Sequence, residues 1–592
     1  FMVLFVLLVN SMFHRPWLES FLFAVALAVG LTPELLPMVV SITLSRGALR
    51  MARERVIVKR LAAVHDLGSM DVLCTDKTGT LTEARIRLEK HLDPLGADSL
   101  RVLELAFINS ALQTGLKNPL DEAILRHAEV AADRWHKVDE VPFDFERRRL
   151  SVLVDDGASR ELIVKGAFEE VVKNSTRYEA AGRSDLRPLD DVTRAAIAGR
   201  YRALGQEGYR VLGVAWKAVE RGCEHVTAAD EGDLVFAGLA AFEDPPKPSA
   251  AAAVRQLAAS GVVIKIVTGD NELVTQHVCD ELQLPVSGLL TGPEIEILDD
   301  HALEQRAETT SLFCRVAPAQ KNRIILALKR RGHVVGYLGD GINDAPSLHT
   351  ADVGLSVDSA VDVAKEAADM ILMDADLGVL HRGVLEGRRT FANIMKYVMM
   401  GTSSNFGNMF SMAGGTLILP FLPMLPVQIL ANNFLYDISE IPIPMDRVDA
   451  SYLERPHHWD MKAIRNFMLT VGPVSSVFDF ATFYVMLHVF HADERLFHTG
   501  WFVESLATQT LVIFVIRTRG NPLRSRPGIL LTGTSLGVVA VAAILPYTPL
   551  GASLGLTPMP LAYFLILAGM VVAYLIAVEL VKQWFYRRLG RA

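Results

Sequence analysis

Asp76-Lys77-Thr78-Gly79-Thr80-Leu81-Thr82 is the stretch whose reading decides the fold of this chain. Immediately before it runs Met70-Asp71-Val72-Leu73-Cys74-Thr75, a short apolar run bounded by polar residues, which predicts a buried strand. An aspartate at the C-terminal end of a parallel strand, followed by a Thr/Gly-rich loop, lies where open α/β sheets bind ligands. Its carboxylate can act as a nucleophile toward a phosphoryl group. An isolated Asp-Lys-Thr-Gly would read equally well as an ordinary turn, so the rest of the chain has to decide.

Downstream, three more apolar runs end in polar groups. Val262-Val263-Ile264-Lys265-Ile266-Val267 leads into Thr268-Gly269-Asp270-Asn271. Phe313-Cys314-Arg315-Val316 leads into Pro318-Ala319-Gln320-Lys321. His333-Val334-Val335-Gly336-Tyr337-Leu338 leads into Gly339-Asp340-Gly341-Ile342-Asn343-Asp344. Strand ends therefore deliver Asp76, Thr268 and Asp340, and a loop or helix start delivers Lys321. Two carboxylates suit a Mg2+ ion, and a hydroxyl with an ammonium suits phosphoryl oxygens. Phosphoryl transfer needs mainly in-line positioning and charge neutralisation, which this set supplies.

Between these runs, residues 85–238 carry their own strand and helix patterns and read as an inserted domain. Pro142-Phe143-Asp144-Phe145 precedes the strand Leu150–Val154, Leu162-Ile163-Val164-Lys165-Gly166-Ala167 is a strand ending in Lys-Gly, and Arg210 opens another. An aromatic face with Lys and Arg suits adenine stacking and phosphate charge, though each residue alone is a weak signal.

At 592 residues the chain is too long for one core. It is 51% hydrophobic yet 21% charged, which predicts apolar spans around a large polar insert. A net charge of −8 is modest for this size and implies no nucleic-acid partner. Cys74, Cys223, Cys279 and Cys314 form no CxxC pair and read as reduced core thiols. His457-His458 reads as a solvated loop pair.

A span needs about 20 apolar residues, and 19–44, 395–418, 424–443, 465–490, 501–516, 529–546 and 559–580 are the candidates. The first is interrupted by Thr32-Pro33-Glu34-Leu35-Leu36-Pro37. Each proline lacks the N–H of a helical bond, so carbonyls are freed at mid-membrane depth, where they can coordinate a cation. Glu34 lies inside the break, and a carboxylate at the bilayer centre costs about 2.5–3.5 kcal/mol, so it is a functional candidate. Ser403, Ser404, Asn405 and Asn408 cluster in one span, and Asn432, Asn433, Asp437 and Glu440 in the next. Asn433 and Asp437 are four apart and share a helix face. Oxygen ligands alone favour a hard cation such as Mg2+ or Ca2+, while interhelical hydrogen bonding is the competing reading for the amides. Asp479, His488 and Glu504 within the spans are ambiguous and stay unassigned. Residues 377–396 predict a helix running unbroken into 395–418, which would couple the polar insert to the membrane. Arg517, Arg519, Arg524 and Arg526, then Lys582, Arg587, Arg588 and Arg591, put the insert and the C-terminus on the cytoplasmic side.

Together Asp76-Lys77-Thr78-Gly79-Thr80, Lys165-Gly166-Ala167, Asp244-Pro245-Pro246-Lys247, Thr268-Gly269-Asp270 and Gly339–Asp344 resemble a P-type ATPase over nearly the whole chain. Thr32–Met38, Ser403–Asn408, Phe421–Pro426 and Asn433–Asp437 resemble its bacterial magnesium-importing branch. The resemblance implies a multi-domain membrane protein. A haloacid-dehalogenase-like α/β phosphorylation domain (51–84 and 239–376) would carry an inserted α+β nucleotide-binding domain (85–238). Helical segments 1–50, 377–443 and 444–592 would form the transmembrane bundle. It implies that Asp76 becomes the aspartyl phosphate. Thr78, Asp340 and Asp344 would hold or support the catalytic Mg2+, Thr268 and Lys321 would bind the phosphoryl group, and Lys77, Asp270 and Asn343 would complete the catalytic set. Phe145, Lys165 and Arg210 would bind ATP, and Glu34, Asn408, Asn433 and Asp437 would form the transported-ion site. The implied activity is ATP-driven Mg2+ import across the bacterial inner membrane. Alternatives are a pump for Ca2+ or H+, or a membrane-tethered phosphatase of the same superfamily. The chain starts with Phe1 inside an apolar run, and no Thr-Gly-Glu or Ser-Gly-Glu occurs. The expectation is therefore an N-terminally truncated chain without an actuator domain, able to form a phosphoenzyme but not to turn over efficiently.

Overall fold

The computed structural model describes residues 2–13, 15–30, 35–83, 85–115, 118–127, 130, 134–144, 147–180, 185–374 and 376–588. The chain divides into two compact units, Met70–His381 and the pair of segments Phe1–Ser69 with Arg382–Ala592.

The first unit holds two sheets. One is parallel throughout, and its strands lie in the order Met370–Leu372, Val353–Val357, Val335–Leu338, Val72–Thr75, Val263–Val267, Leu312–Cys314 and Leu289–Thr291. The strand before Asp76 is central and wholly buried. That position explains its apolar sequence, since strands covered on both faces read as continuous hydrophobic runs rather than alternating ones. Val72 lies opposite Val263 on one side and Val335 on the other, so the three strands end level with one another. Their following loops, with Asp76, Thr268 and Asp340, therefore emerge at one edge.

The second sheet is built from His136–Asp144, Arg149–Asp155, Arg160–Ala167, Arg210–Val219, Leu234–Glu243, Ser175–Glu179 and Leu186–Pro188, with Arg87–Leu92 also pairing on Leu234–Glu243. It is antiparallel except where Leu234–Glu243 runs parallel to Ser175–Glu179. Two apolar layers cover it, one around Trp135, Ile163 and Trp216 and the other around Phe168, Ile197 and Phe236.

The second unit is helical. Among the described residues four helical stretches are long and apolar enough to cross a membrane: Met461–Val489, Glu494–Ile516, Ile529–Tyr547 and Leu561–Arg588. Glu494–Leu511 is buried along most of its length and is packed by its neighbours on every side. The first candidate span is two helices, Trp17–Gly30 and Leu36–Arg53, flanking the proline segment. Residues 31–34, including Glu34, lie outside the described residues. Helix Leu377–Ile418 runs unbroken for 42 residues, as expected from the absence of proline.

Some expectations need correction. The 424–443 span is a 15-residue helix, Pro426–Glu440, followed by a tight turn Ile443–Met445 that Pro442 and Pro444 favour. Cys223 is half-exposed rather than in the core, because it sits in the loop after Arg210–Val219. His457 is also half-buried, with its ring on Tyr452 at 3.9 Å and Nε2 3.1 Å from the Tyr452 carbonyl. Arg517 and Lys582 are buried too. Arg517 Nε donates to Asp446 at 2.8 Å, and Lys582 Nζ donates to the carbonyls of Val515, Thr518 and Gly520.

Candidate active site

Asp76 is the first residue past the central strand, and its N–H donates to Leu338 O at 3.1 Å on the neighbouring strand. Both carboxyl oxygens are held. Oδ1 accepts from the Lys77 N–H at 2.6 Å and Oδ2 from Lys321 Nζ at 2.6 Å. Lys321 stands in the first turn of helix Pro318–Arg330, where Pro318 pre-sets the backbone. The same ammonium donates to Asp344 Oδ1 at 2.9 Å. Tyr337 OH donates to that oxygen at 2.6 Å and the Gly341 N–H to Asp344 Oδ2 at 3.1 Å. Asp344 is thus a buried hub, which positions Lys321 between it and Asp76.

A second group of charges lies beside the first. Lys77 Nζ is 2.9 Å from Asp270 Oδ2 and 3.6 Å from Asp244 Oδ2. Thr78 Oγ1 is 3.4 Å from Asp270 Oδ2, and Arg210 reaches Asp270 Oδ1 at 3.4 Å. The Asp270 loop is fixed at both ends. The Asp270 N–H donates to Thr268 Oγ1 at 3.2 Å, and Asn271 caps helix Glu272–Glu281 by accepting the Val274 N–H at 3.0 Å. Thr268 is buried and Asn343 is exposed in a short turn. Lys247 Nζ donates to Gly79 O at 2.6 Å and Thr80 O at 2.9 Å, which clamps the loop after Asp76.

The electrostatics follow from this crowding. Burial raises the Asp76 carboxyl above the usual carboxylate range; Lys321 opposes the shift and the Asp344 charge adds to it. Burial, then the charges of Asp76 and Asp344, push Asp340 up to about 6. Burial also works against the charged form of Asp270, yet Arg210 and Lys77 outweigh it and hold that carboxyl well below the usual range. Lys321 is held above the usual lysine value, because its two carboxylate partners overcome the cost of its burial. The Asp76–Asp340 corner therefore carries more negative charge than its lysines neutralise. Gly79, with φ +74°, passes so close that an added Cβ would stand 1.8 Å from Asp340 Oδ2. Hard oxygen donors, surplus negative charge and a backbone cradle fit a Mg2+ ion.

Of the expected nucleotide residues, Phe145 lies outside the described residues. Lys165 and Arg210 are on neighbouring strands, with Lys165 opposite Val214. Lys165 is buried and its ammonium is bonded to Asp121 and Ser110. Arg210 is 47% exposed and leans toward Asp270. Sequence reasoning gave no role to Asp121, Asp244, Tyr337 or Lys247. Asp244 and Lys247 were visible within Asp244-Pro245-Pro246-Lys247, while nothing local marked Asp121 or Tyr337.

In the helical unit, Asn408 and the Asn433–Asp437 pair are half-buried on helices Leu377–Ile418 and Pro426–Glu440. Asn433 Nδ2 and Glu440 Oε1 are buried without a hydrogen-bond partner. Gly401 faces Glu440, with an added Cβ 3.9 Å from Oε1. Asp437 and Glu440 both act electrostatically on Tyr397. Buried oxygen and amide groups left without a partner suit a cation ligand set.

Two family models match the sequence. "P-type ATPase, cytoplasmic domain N" covers residues 101–249, and "Cation transporting ATPase, C-terminus" covers 421–584. The chain is 47% identical over 596 residues to "Magnesium-transporting ATPase, P-type 1" of Salmonella typhimurium, covering 99% of this chain and 66% of that protein. The Escherichia coli K12 protein of the same name is also 47% identical, over 599 residues, again with 99% and 66% coverage. "Calcium-transporting ATPase 1" of Saccharomyces cerevisiae is 32% identical over 497 residues, covering 76% of this chain and 52% of that protein. The chain thus spans 66% of the length of its magnesium-transporting relatives.

Proposed function

We propose a function from one premise: the chain belongs to the P-type cation-transporting ATPases. It serves ATP-driven Mg2+ import across the bacterial inner membrane, through an aspartyl phosphate at Asp76. The carrying observation is the pairing of Asp76 with Lys321 at 2.6 Å on a rigid strand end, beside Asp340 and Asp344. The 47% identity to magnesium-transporting relatives favours Mg2+ as cargo.

In this reading the parallel sheet is a haloacid-dehalogenase-like phosphorylation domain and the second sheet a nucleotide-binding domain. A carboxylate oxygen of Asp76 attacks the γ-phosphorus of ATP. The new O–P bond forms as the bond to the β,γ-bridging oxygen breaks, and ADP leaves with that electron pair. Lys321 and the Thr268 hydroxyl bind the non-bridging oxygens as charge spreads over them. Lys77 holds Asp270, and Asp270 holds Thr78, so the loop after Asp76 keeps its shape. Asp76, Thr78 and Asp340 would hold the catalytic Mg2+, with Asp344 in support. Bound there, the ion would supply positive charge to neutralise the phosphoryl oxygens. Asn343, exposed in its turn, completes the set, and Phe145, Lys165 and Arg210 bind the nucleotide. Arg210 exchanges Asp270 for the phosphates when ATP enters. Glu34, Asn408, Asn433 and Asp437 coordinate the cargo.

Two experiments test this. Hydroxylamine-sensitive label from γ-labelled ATP should appear on the wild-type protein and vanish in Asp76→Asn; equal labelling defeats the assignment. Growth of a Mg2+-uptake-deficient strain should be restored by the full-length protein and not by its Asp437→Ala variant. Rescue confined to Ca2+-dependent phenotypes would point to a calcium pump.

A further inference from the structure

Two buried carboxyl groups of the helical unit have no part in the proposed pump chemistry. Asp479, on helix Met461–Tyr484, is 2% exposed, and Glu504, on helix Glu494–Leu511, is 1% exposed. Trp501, one turn before Glu504 on the same helix, donates to Asp479 Oδ1 at 2.8 Å, which brings the two carboxyl groups side by side. Glu504 is ten residues into its helix, about 15 Å from the helix start at ~1.5 Å per residue, and so well inside the apolar layer.

The polar groups around the pair are few. Asp479 Oδ1 accepts from Trp501 Nε1 at 2.8 Å, and Oδ2 lies 2.5 Å from Ser411 Oγ on helix Leu377–Ile418. Thr508 flanks Glu504 from the same helix. Helix Leu561–Arg588 presents the phenols of Tyr563 and Tyr574 to the pair, and Tyr563 OH is committed to Gly500 O at 2.6 Å. Among the described residues no lysine, arginine or histidine pairs with either carboxyl. Neither oxygen of the Glu504 carboxyl has a hydrogen-bond donor.

We propose that Asp479 and Glu504 form a proton-binding site of the membrane unit, holding one proton between two carboxyl groups. Ionised carboxylates only accept hydrogen bonds, so two of them in contact bond only if one carries a proton. Two such charges without a cation cannot both ionise in a water-poor site. The hydroxyl of Ser411 gives a second sign. It lies 2.5 Å from Asp479 Oδ2 and 3.1 Å from Gly407 O, with one hydrogen for two acceptors. Ser411 can serve only one of the two fully, which leaves Asp479 short of donors and favours a proton shared with Glu504. A divalent cation fits less well. It needs about six oxygen ligands, and here an indole N–H already occupies one carboxyl oxygen. Ser411 is one turn from Asn408, so a shift of that helix at the cation site changes the donors of Asp479. The inference is independent of which cation is carried.

The test is infrared spectroscopy of the purified protein at neutral pH. The wild type should show a buried protonated-carboxyl C=O band that moves in D2O. D479N/E504Q should lose one carboxyl group's intensity. If that double variant does not fold, D479N alone is read: its carboxamide can donate to Glu504, the proton is released, and the same band should go. A band unchanged by these substitutions overturns the proposal. So does equilibrium dialysis in which E504Q loses one bound Mg2+ per chain. Neither readout requires ATPase activity, so failure here is distinct from failure of the pump assignment.

Discussion

Gly79 shows how closely the candidate active site is drawn together. Its φ of +74° favours glycine, and a Cβ there would overlap Asp340 Oδ2. Gly79→Ala should cut phosphoenzyme formation at least tenfold, about 1.4 kcal/mol of activation free energy, as measured by acid-stable labelling from ATP. Lys321 bridges Asp76 and Asp344, so Lys321→Gln should lower the labelling rate by about 100-fold, the scale for removing one charge-stabilising donor. Asp340 also predicts a pH effect. Its carboxyl is raised to about 6 when folded, so its neutral form favours folding, and that contribution fades as pH rises through about 6. Asp76 is shifted in the same direction. Asp270 is shifted the opposite way, but its window lies at lower pH. Without divalent cations, the melting temperature of the protein should therefore fall between about pH 4, the unfolded value, and about pH 6, the folded one, for this group's part. Added Mg2+ should reverse the fall, and Asp340→Asn should flatten it.

At the scale of elements, the three central strands end level because Val72 sits opposite both Val263 and Val335. That shared register gathers residues nearly 270 positions apart in the chain. In the helical unit, Asp446 accepts from Lys396 at 2.7 Å and from Arg517 at 2.8 Å, joining helix Leu377–Ile418 and the end of Ile513–Ile516 to the loop after Pro426–Glu440. A buried charge left short of its partner is costly, so Arg517→Met should destabilise the detergent-solubilised protein by about 3 kcal/mol in thermal denaturation. Arg517 also shows where reading charge from sequence stops. Its place in a basic run agreed with a cytoplasmic loop, but nothing in that run distinguished a buried anchor from a solvated arginine.

For the whole molecule, phosphorylation should depend on the candidate cation residues. Asp437→Asn should abolish cation stimulation of labelling while leaving nucleotide binding unchanged, as followed by fluorescence of a bound ATP analogue. Helix Leu377–Ile418, with Asn408 and no break, is consistent with that dependence.

Much of this was legible in one dimension. Strand ends that deliver an acid or a hydroxyl are local patterns, because buried strands must be apolar and the loops after them hold the polar residues of the candidate site. Asp76, Thr268, Lys321, Asp340 and the Asn433–Asp437 face could therefore be named from sequence. Family membership was legible for the same reason, since its motifs are short and contiguous. What only the tertiary structure decided is pairing at long range. The Lys321–Asp344–Tyr337 hub, the Lys165–Asp121 contact, the buried Arg517 and the Asp479–Glu504 pair each depend on which residues meet across elements. A carboxyl looks the same in sequence whether it faces water, a lysine or another carboxyl. Its burial and its neighbours, which set its charge, exist only once the helices and strands have packed.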